Sequence, residues 1–215
     1  MKKLLSLVLA VAIALLNISV FAQEKDPATE LKGYGILKGD PDGNMRLEDS
    51  ITRAEATALI TRTNANYNNI LENYSFTPFF SDTQNHWAER EITFAHQNAL
   101  VEGRNDTPFE PEKDVTIEEF AKMLVTLLGY EEKAERLGGF PNGYVMTASS
   151  LGLMDNLNKT TSENALRKDV VLMIANSLDV PLMKQSGFGA NVEYTIMDGK
   201  NGVMLETFRT ILESK

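Results

Sequence analysis

Gly35-Ile36-Leu37-Lys38-Gly39 followed by Ile51-Thr52-Arg53-Ala54-Glu55 recurs along the chain as Ala99-Leu100-Val101-Glu102-Gly103 followed by Val115-Thr116-Ile117-Glu118-Glu119. The spacing is kept, with 13 residues from Gly39 to Thr52 and 13 from Gly103 to Thr116. A third, more worn copy reads Gly152-Leu153-Met154-Asp155-Asn156, then Ala165-Leu166-Arg167-Lys168-Asp169, with a loop three residues shorter. Copies 64 and 53 residues apart mark a repeat architecture, in which each unit buries its apolar face only against its neighbours.

Each copy carries the same local physics. A helix ends in a Gly or Asn turn, a loop follows, and a second helix starts at a cap. Thr52-x-x-Glu55 and Thr116-x-x-Glu119 read as capping boxes, the Thr hydroxyl taking the N3 amide while the Glu reaches back. Behind the second cap, Phe120, Met123, Leu124 and Leu127 fall at i, i+3, i+4 and i+7, one apolar stripe of a helix. The equivalent stripes are Ala56, Leu59, Ile60 and Thr63 in copy one, and Val170, Met173, Ile174 and Ser177 in copy three. First helices are expected around Ala88, Ile92, Ala95 and Ala99 in copy two and around Tyr144, Ala148 and Leu151 in copy three. In copy one only the short stretch Ala28 to Tyr34 can serve. The fold expected is mainly all-α, a bundle of three helix–loop–helix units.

Outside the repeats the signals change. Asn64 to Pro78 is polar and aromatic, a loop or an extension of the preceding helix. After Pro181, Val192 to Met197 has strand-like composition, Asp198-Gly199 and Asn201-Gly202 are turn signals, and Leu205 to Leu212 reads as a short closing helix. This tail is either a small hairpin packed on the repeats or a partly ordered end. At the other end, Lys2 and Lys3 precede an apolar run from Leu4 to Val20, and Val20-Phe21-Ala22 offers a cleavage site. Residues 1–22 thus read as a secretory signal peptide. The competing reading, a membrane anchor, is weakened by the small-residue site directly after the run. No stable membrane insertion is expected after cleavage.

Taking Lys2 and Lys3 from 21 basic residues leaves 19 against 30 acidic ones, so the mature chain is strongly acidic. That argues against nucleic acid and anionic membranes as partners, and any anion must be gripped by a few placed Arg or Lys side chains. There is no Cys, so the core forms without disulfides.

Metal and catalytic signals fail on inspection. Asp40, Asp42 and Asn44 alternate like the start of a calcium loop. Met45 and Ile51, however, stand where such a loop needs Gly and Glu. His86 and His96 are the only histidines and have no third ligand. Glu118 and Glu119 are neighbours at a cap, whereas glycosidase carboxylates must face each other across a cleft. No enzyme, metal or cofactor is expected. Trp87, beside Ala88 and Ile92, reads as a core anchor in preference to a sugar-stacking platform.

The Gly39-Asp40-Pro41-Asp42-Gly43 loop with Ile51-Thr52-Arg53-Ala54-Glu55 resembles the S-layer homology repeat. Phe80-Ser81-Asp82 with His86-Trp87-Ala88 resembles the opening of such a repeat, and Phe140-Pro141-Asn142-Gly143-Tyr144 through Leu178-Asp179-Val180-Pro181 is similar to third repeats. The resemblance implies repeats at 28–64 (with a truncated start), 79–130 and 138–183, a tail at 184–215, and a pseudo-threefold helical bundle. It further implies an exported bacterial cell-wall protein that binds secondary cell-wall polysaccharide, often through a pyruvylated sugar, in grooves between repeats. By position the carboxylate-binding Arg is Arg53 in copy one and Arg167 in copy three, while copy two has Ile117 and its groove reads as lost. Asp40, Asp42 and Gly43 would offer acceptors to sugar hydroxyls, and Thr52 would cap the helix beside them. An Arg just past a helix cap can offer a carboxylate a bidentate pair beside free backbone donors. A solvated Arg53, or one bridged to Glu48, Asp49 or Glu55, is the plainer alternative. On this reading alanine at Arg53 and Arg167 abolishes wall binding and leaves the helical content unchanged. The rival functional reading is a surface-layer subunit that self-associates through its repeats, with glycan binding lost.

Overall fold

The computed structural model describes residues 25–64, 77–103, 108–186 and 192–214. The expected signal peptide and most of the Asn64–Pro78 linker lie outside the described residues. Among the described residues no helix is long and apolar enough to cross a membrane.

The chain is mainly helical with one small sheet. In order come α1 (Pro27–Gly33), α2 (Arg53–Thr63), a 3-10 turn (Ser81–Thr83), α3 (Glu89–Gln97), α4 (Ile117–Leu127), α5 (Glu131–Arg136), α6 (Asn142–Ser150), α7 (Arg167–Ser177), β1 (Met183–Ser186), β2 (Glu193–Ile196) and α8 (Phe208–Glu213). The second helices α2, α4 and α7 carry the stripes read from the sequence. All twelve stripe positions are buried except Leu127, which is half-buried. The two hydroxyls among them are satisfied inside their own helices, Thr63 Oγ1 on Leu59 O at 3.0 Å and Ser177 Oγ on Ile174 O at 2.6 Å.

Both capping boxes form: Thr52 Oγ1 takes the Glu55 amide while Glu55 takes the Thr52 amide, and Thr116 and Glu119 do the same. Leu166 has no acceptor to offer, so copy three keeps only half the device, with Leu166 N–H donating to Asp169 Oδ2 at 2.8 Å.

What closes the three copies into one body is a ring of backbone hydrogen bonds. Val115 N–H donates to Ile51 O (3.1 Å), Ala165 N–H to Val115 O (2.8 Å) and Ile51 N–H to Ala165 O (3.2 Å). These three residues hold equivalent places one residue before the N-cap, and all three are fully buried. The next amides repeat the rule. Arg53 and Ala54 donate to Lys113 O and Pro111 O, Ile117 and Glu118 to Glu163 O and Thr161 O, and Arg167 and Lys168 to Asp49 O and Leu47 O. The orphan N–H groups of each second helix are thus satisfied by the loop of the following copy, with copy one following copy three. The helices obey the same cycle: each first helix packs on the preceding copy's second helix, α3 on α2, α6 on α4 and α1 on α7. The arrangement is pseudo-threefold.

Around this body the tail is ordered where it is described. β1 and β2 pair antiparallel with Met183 opposite Ile196, so the strand expected near Val192–Met197 has a partner too short to show a period of its own. Arg209 on α8 donates to both Asp179 oxygens, at 2.6 and 2.9 Å, and reaches Glu30 on α1, fastening the tail across the seam between copies three and one. Trp87 departs from the core role expected of it: its ring is 56% exposed, and Ala88 and Ile92 beside it fill the core instead. It sits at the turn before α3, one residue ahead of the helical phase that faces inward, with its ring 5.5 Å from that of His86.

Candidate functional site

Arg53 and Arg167 occupy the first position of α2 and α7, and both guanidinium groups turn across the ring into the loop of the following copy. Arg53 Nε donates to Phe109 O and Nη2 to Glu102 O, each at 2.9 Å, with the guanidinium carbon 4.6 Å from the centre of the Phe109 ring. Arg167 Nε donates to Met45 O and Nη2 to Lys38 O, again at 2.9 Å. The two sets of acceptors are equivalent, one at each end of a loop. Each planar fork therefore staples a loop shut in a way that one ammonium could not. The side chains are deeply placed, Arg53 being 7% and Arg167 9% exposed. Burial pulls the Arg167 guanidinium below its ordinary range, and Glu55, at 3.8 Å from Nη1, works against that. Neither a solvated Arg nor a simple ion pair describes Arg53.

The geometry regroups the residues that the sequence set side by side. Arg53 shares its groove with loop two, while Asp40, Asp42 and Gly43 belong to the loop clasped by Arg167. Thr52 caps α2 and pairs with Asp114 of copy two. A groove is thus made from an Arg of one copy and the loop of the next. Asp40 also has a structural task. Its carboxylate accepts the amides of Asp42 at 3.0 Å and Asn44 at 2.8 Å, and Gly43 closes the turn at φ 87°.

The Asn44 amide above all holds the Asp40 carboxyl below the usual aspartate range. The sign follows from linkage. The folded pKa is depressed, so the turn gains stability above the ordinary aspartate pKa and loses it as pH falls through the lower, folded value. An NMR pH titration of the Asp42 and Asn44 amides is expected to show a common midpoint below that of an unstructured aspartate. A midpoint at or above it would remove Asp40 from this role.

A groove surrounds Arg53, a cavity of about 410 Å³ lined by Ala99 to Gly103, Glu119, Lys122, Met123 and Phe140. Lys122 Nζ lies 3.0 Å from Glu102 and 5.9 Å from the centre of the exposed Phe140 ring. Two cations, two carboxylates and an aromatic face at its rim suit a ligand with hydroxyls, an apolar sugar face and a carboxylate. Lys122 and Phe140 were not singled out from the sequence, because they come from different copies and meet only through the packing of α6 on α4. Among the described residues no cluster of His, Asp and Glu could hold a metal ion. His86 pairs with Glu112 at 2.7 Å, and the His96 ring lies 4.0 Å from that of Phe79.

The model of the S-layer homology domain matches residues 22–57 and 79–121. The middle cell wall protein of Brevibacillus brevis is 30% identical over 216 residues, covering 91% of this chain and 20% of the relative. The surface layer protein of Brevibacillus choshinensis is 27% identical over 216 residues, covering 92% and 19%. The cellulosome-anchoring protein of Acetivibrio thermocellus is 35% identical over 110 residues, covering 50% and 23%. The chain thus spans about a fifth of the length of these relatives. The chain thus carries S-layer homology segments at residues 22–57 and 79–121, which contain its two Arg-clasped loops.

Proposed function

We propose that this is a cell-surface, cell-wall-associated protein that binds secondary cell-wall polysaccharide non-covalently, with no catalytic role, in the grooves between its repeats. The observation that carries the reading is the Arg53 groove, where a buried guanidinium, Lys122 and the Phe140 ring border one cavity. Arg53 and Arg167 meet the acidic group of a pyruvylated sugar, and loop one, with Asp42 exposed and Asp40 shaping the turn, presents acceptors to hydroxyls. The unit at 138–183 counts as a third repeat on this reading, supported by its place in the hydrogen-bonded ring.

The test is retention of the mature protein on purified wall sacculi before and after acid extraction of the secondary polysaccharide. Retention that disappears on extraction is expected. Equal retention on both preparations would favour the second reading, a surface-layer subunit packing on its own copies. The exposed apolar side chains of the tail, Tyr194, Ile196, Met204 and Leu205, give that reading its support.

A further inference from the structure

The three edges of the ring are alike in their backbone bonds. Arg53, Ala54 and Val115 donate across the edge between copies one and two. Arg167, Lys168 and Ile51 donate across that between three and one, and Ile117, Glu118 and Ala165 across that between two and three. The side chains set the edges apart. Arg53 fixes the first and Arg167 the second, each with two bonds from its guanidinium to loop carbonyls. At the third, the first helical position holds Ile117, fully buried and without a side-chain donor. A side-chain bond does cross there, from Asn164 Nδ2 to Asp114 Oδ2 at 3.1 Å, but it is exposed to competing water.

The carbonyl that an arginine would have taken is held from elsewhere. Lys38, Glu102 and Asp155 hold equivalent places, fourth in Gly35–Gly39, Ala99–Gly103 and Gly152–Asn156. Lys38 O and Glu102 O receive the arginines of neighbouring copies. Asp155 O instead receives Asn176 Nδ2 at 3.0 Å, and Leu153 O shares that donor group at 3.2 Å. Asn176 lies on α7, in the same copy as its acceptors. It stands nine residues after Arg167, and its counterparts after Arg53 and Ile117 are Arg62 and Thr126. Arg62 Nε and Thr126 Oγ1 are buried and have no hydrogen-bond partner among the described residues. This helix position thus holds a loop in the copy whose loop lacks an arginine. Other side chains there also turn back upon copy three. Lys159 Nζ donates to Asn164 O at 2.8 Å, and the Thr160 hydroxyl to Glu163 Oε2 at 2.7 Å.

We infer that the edge between copies two and three is a joint, at which the ring opens while the loop of copy three, held by Asn176, keeps its own fold. An opening there breaks backbone bonds but strands no guanidinium, and it leaves Leu153 O and Asp155 O satisfied. An opening at either other edge must also tear two charge-assisted bonds from loop carbonyls. Local openings follow the set of bonds that costs least to break, and groups that open together lose amide protection together. The joint goes beyond wall binding and does not depend on it.

Native-state hydrogen exchange of the isotopically labelled mature protein, followed by amide NMR, tests it. The Ile117, Glu118 and Ala165 amides are expected to exchange as one group. Their exchange should be about a hundredfold faster than that of Arg53, Ala54 and Val115 or of Arg167, Lys168 and Ile51. A shared, shallow dependence on low urea would mark a local opening in place of global unfolding. Equal protection at all three edges, or the lowest protection at an arginine edge, would overturn the joint. Asn176→Ala should speed exchange of Leu153, whose N–H donates to Ala148 O at 3.0 Å, about tenfold and leave Arg53 and Val115 unchanged. Unchanged exchange at Leu153 would remove Asn176 from its part. Ile117→Arg in the Asn176→Ala protein hands Asp155 O back to an arginine and should bring Ala165 to the protection of Val115. An Ala165 amide still as fast as in the parent would overturn the joint. Where either variant fails to fold, the parent profile decides.

Discussion

Replacing Arg53 and Arg167 together by alanine is expected to abolish retention on wall material and also to bring the protein close to unfolding. Each change strands two loop carbonyls that now accept from a buried guanidinium, Phe109 O and Glu102 O for one, Met45 O and Lys38 O for the other. A buried acceptor left without a donor costs about 1–3 kcal/mol, so each single change should cost about 3 kcal/mol. The two staples hold different loops, so their effects should nearly add. The sum, about 6 kcal/mol, rivals the whole stability of an ordinary domain. This differs from the outcome expected on sequence grounds, where helical content was to stay unchanged. The physical reason is that the arginines hold the loops as well as facing the grooves. Urea unfolding of the single variants separates the two duties. A protein with Arg53→Ala that unfolds at the parent's midpoint yet loses retention would show a purely ligand-directed arginine. Arg→Lys variants, with charge but no fork, should lose about half as much stability.

A second large effect is expected at Gly143. α6 lies so close to α5 that a Cβ there would stand 2.0 Å from Ala134 O and 3.2 Å from the Leu137 carbonyl carbon, both backbone atoms without freedom to swing aside. Gly143→Ala gains about 1 kcal/mol in helix propensity, yet forces the two helices apart. We expect a net loss of about 3 kcal/mol, a fall of about 10 °C in the thermal midpoint for a chain of this size. A rise in midpoint would mean that propensity outweighs the close approach. Groove binding at Arg53 should weaken in parallel, because α6 positions Phe140.

The second helices were legible because capping boxes and period-3.6 stripes are local, and Thr52, Thr116, Phe120 and Ile174 took the places their spacing implied. α5 was not legible: its six residues bury only Ala134 and leave no stripe to read. The ring at Ile51, Val115 and Ala165 was invisible for a related reason. A pairing of single residues has no period, and its partners are known only once the copies are arranged in space. The positions of Arg53 and Arg167 at the starts of α2 and α7 were legible, but the loops they clasp were not, since similarity along the chain groups residues by copy while the grooves group them across copies. Trp87 shows the limit of inference from neighbours, since a residue adjacent to a buried stripe can still point outward.

The three-way hydrogen-bonded ring bears on the order of events when the chain folds. Its closing edge, Ile51 to Ala165, joins residues about half the chain apart, and no two copies can complete it. Contacts of such long range slow folding, because the entropy of closing the loop is lost before the reward arrives. A chain threaded through a membrane from its N-terminus would thus present copies one and two as open, non-native intermediates. It would lock only after Ala165 had crossed, so the topology itself delays compaction until export of the repeats is complete.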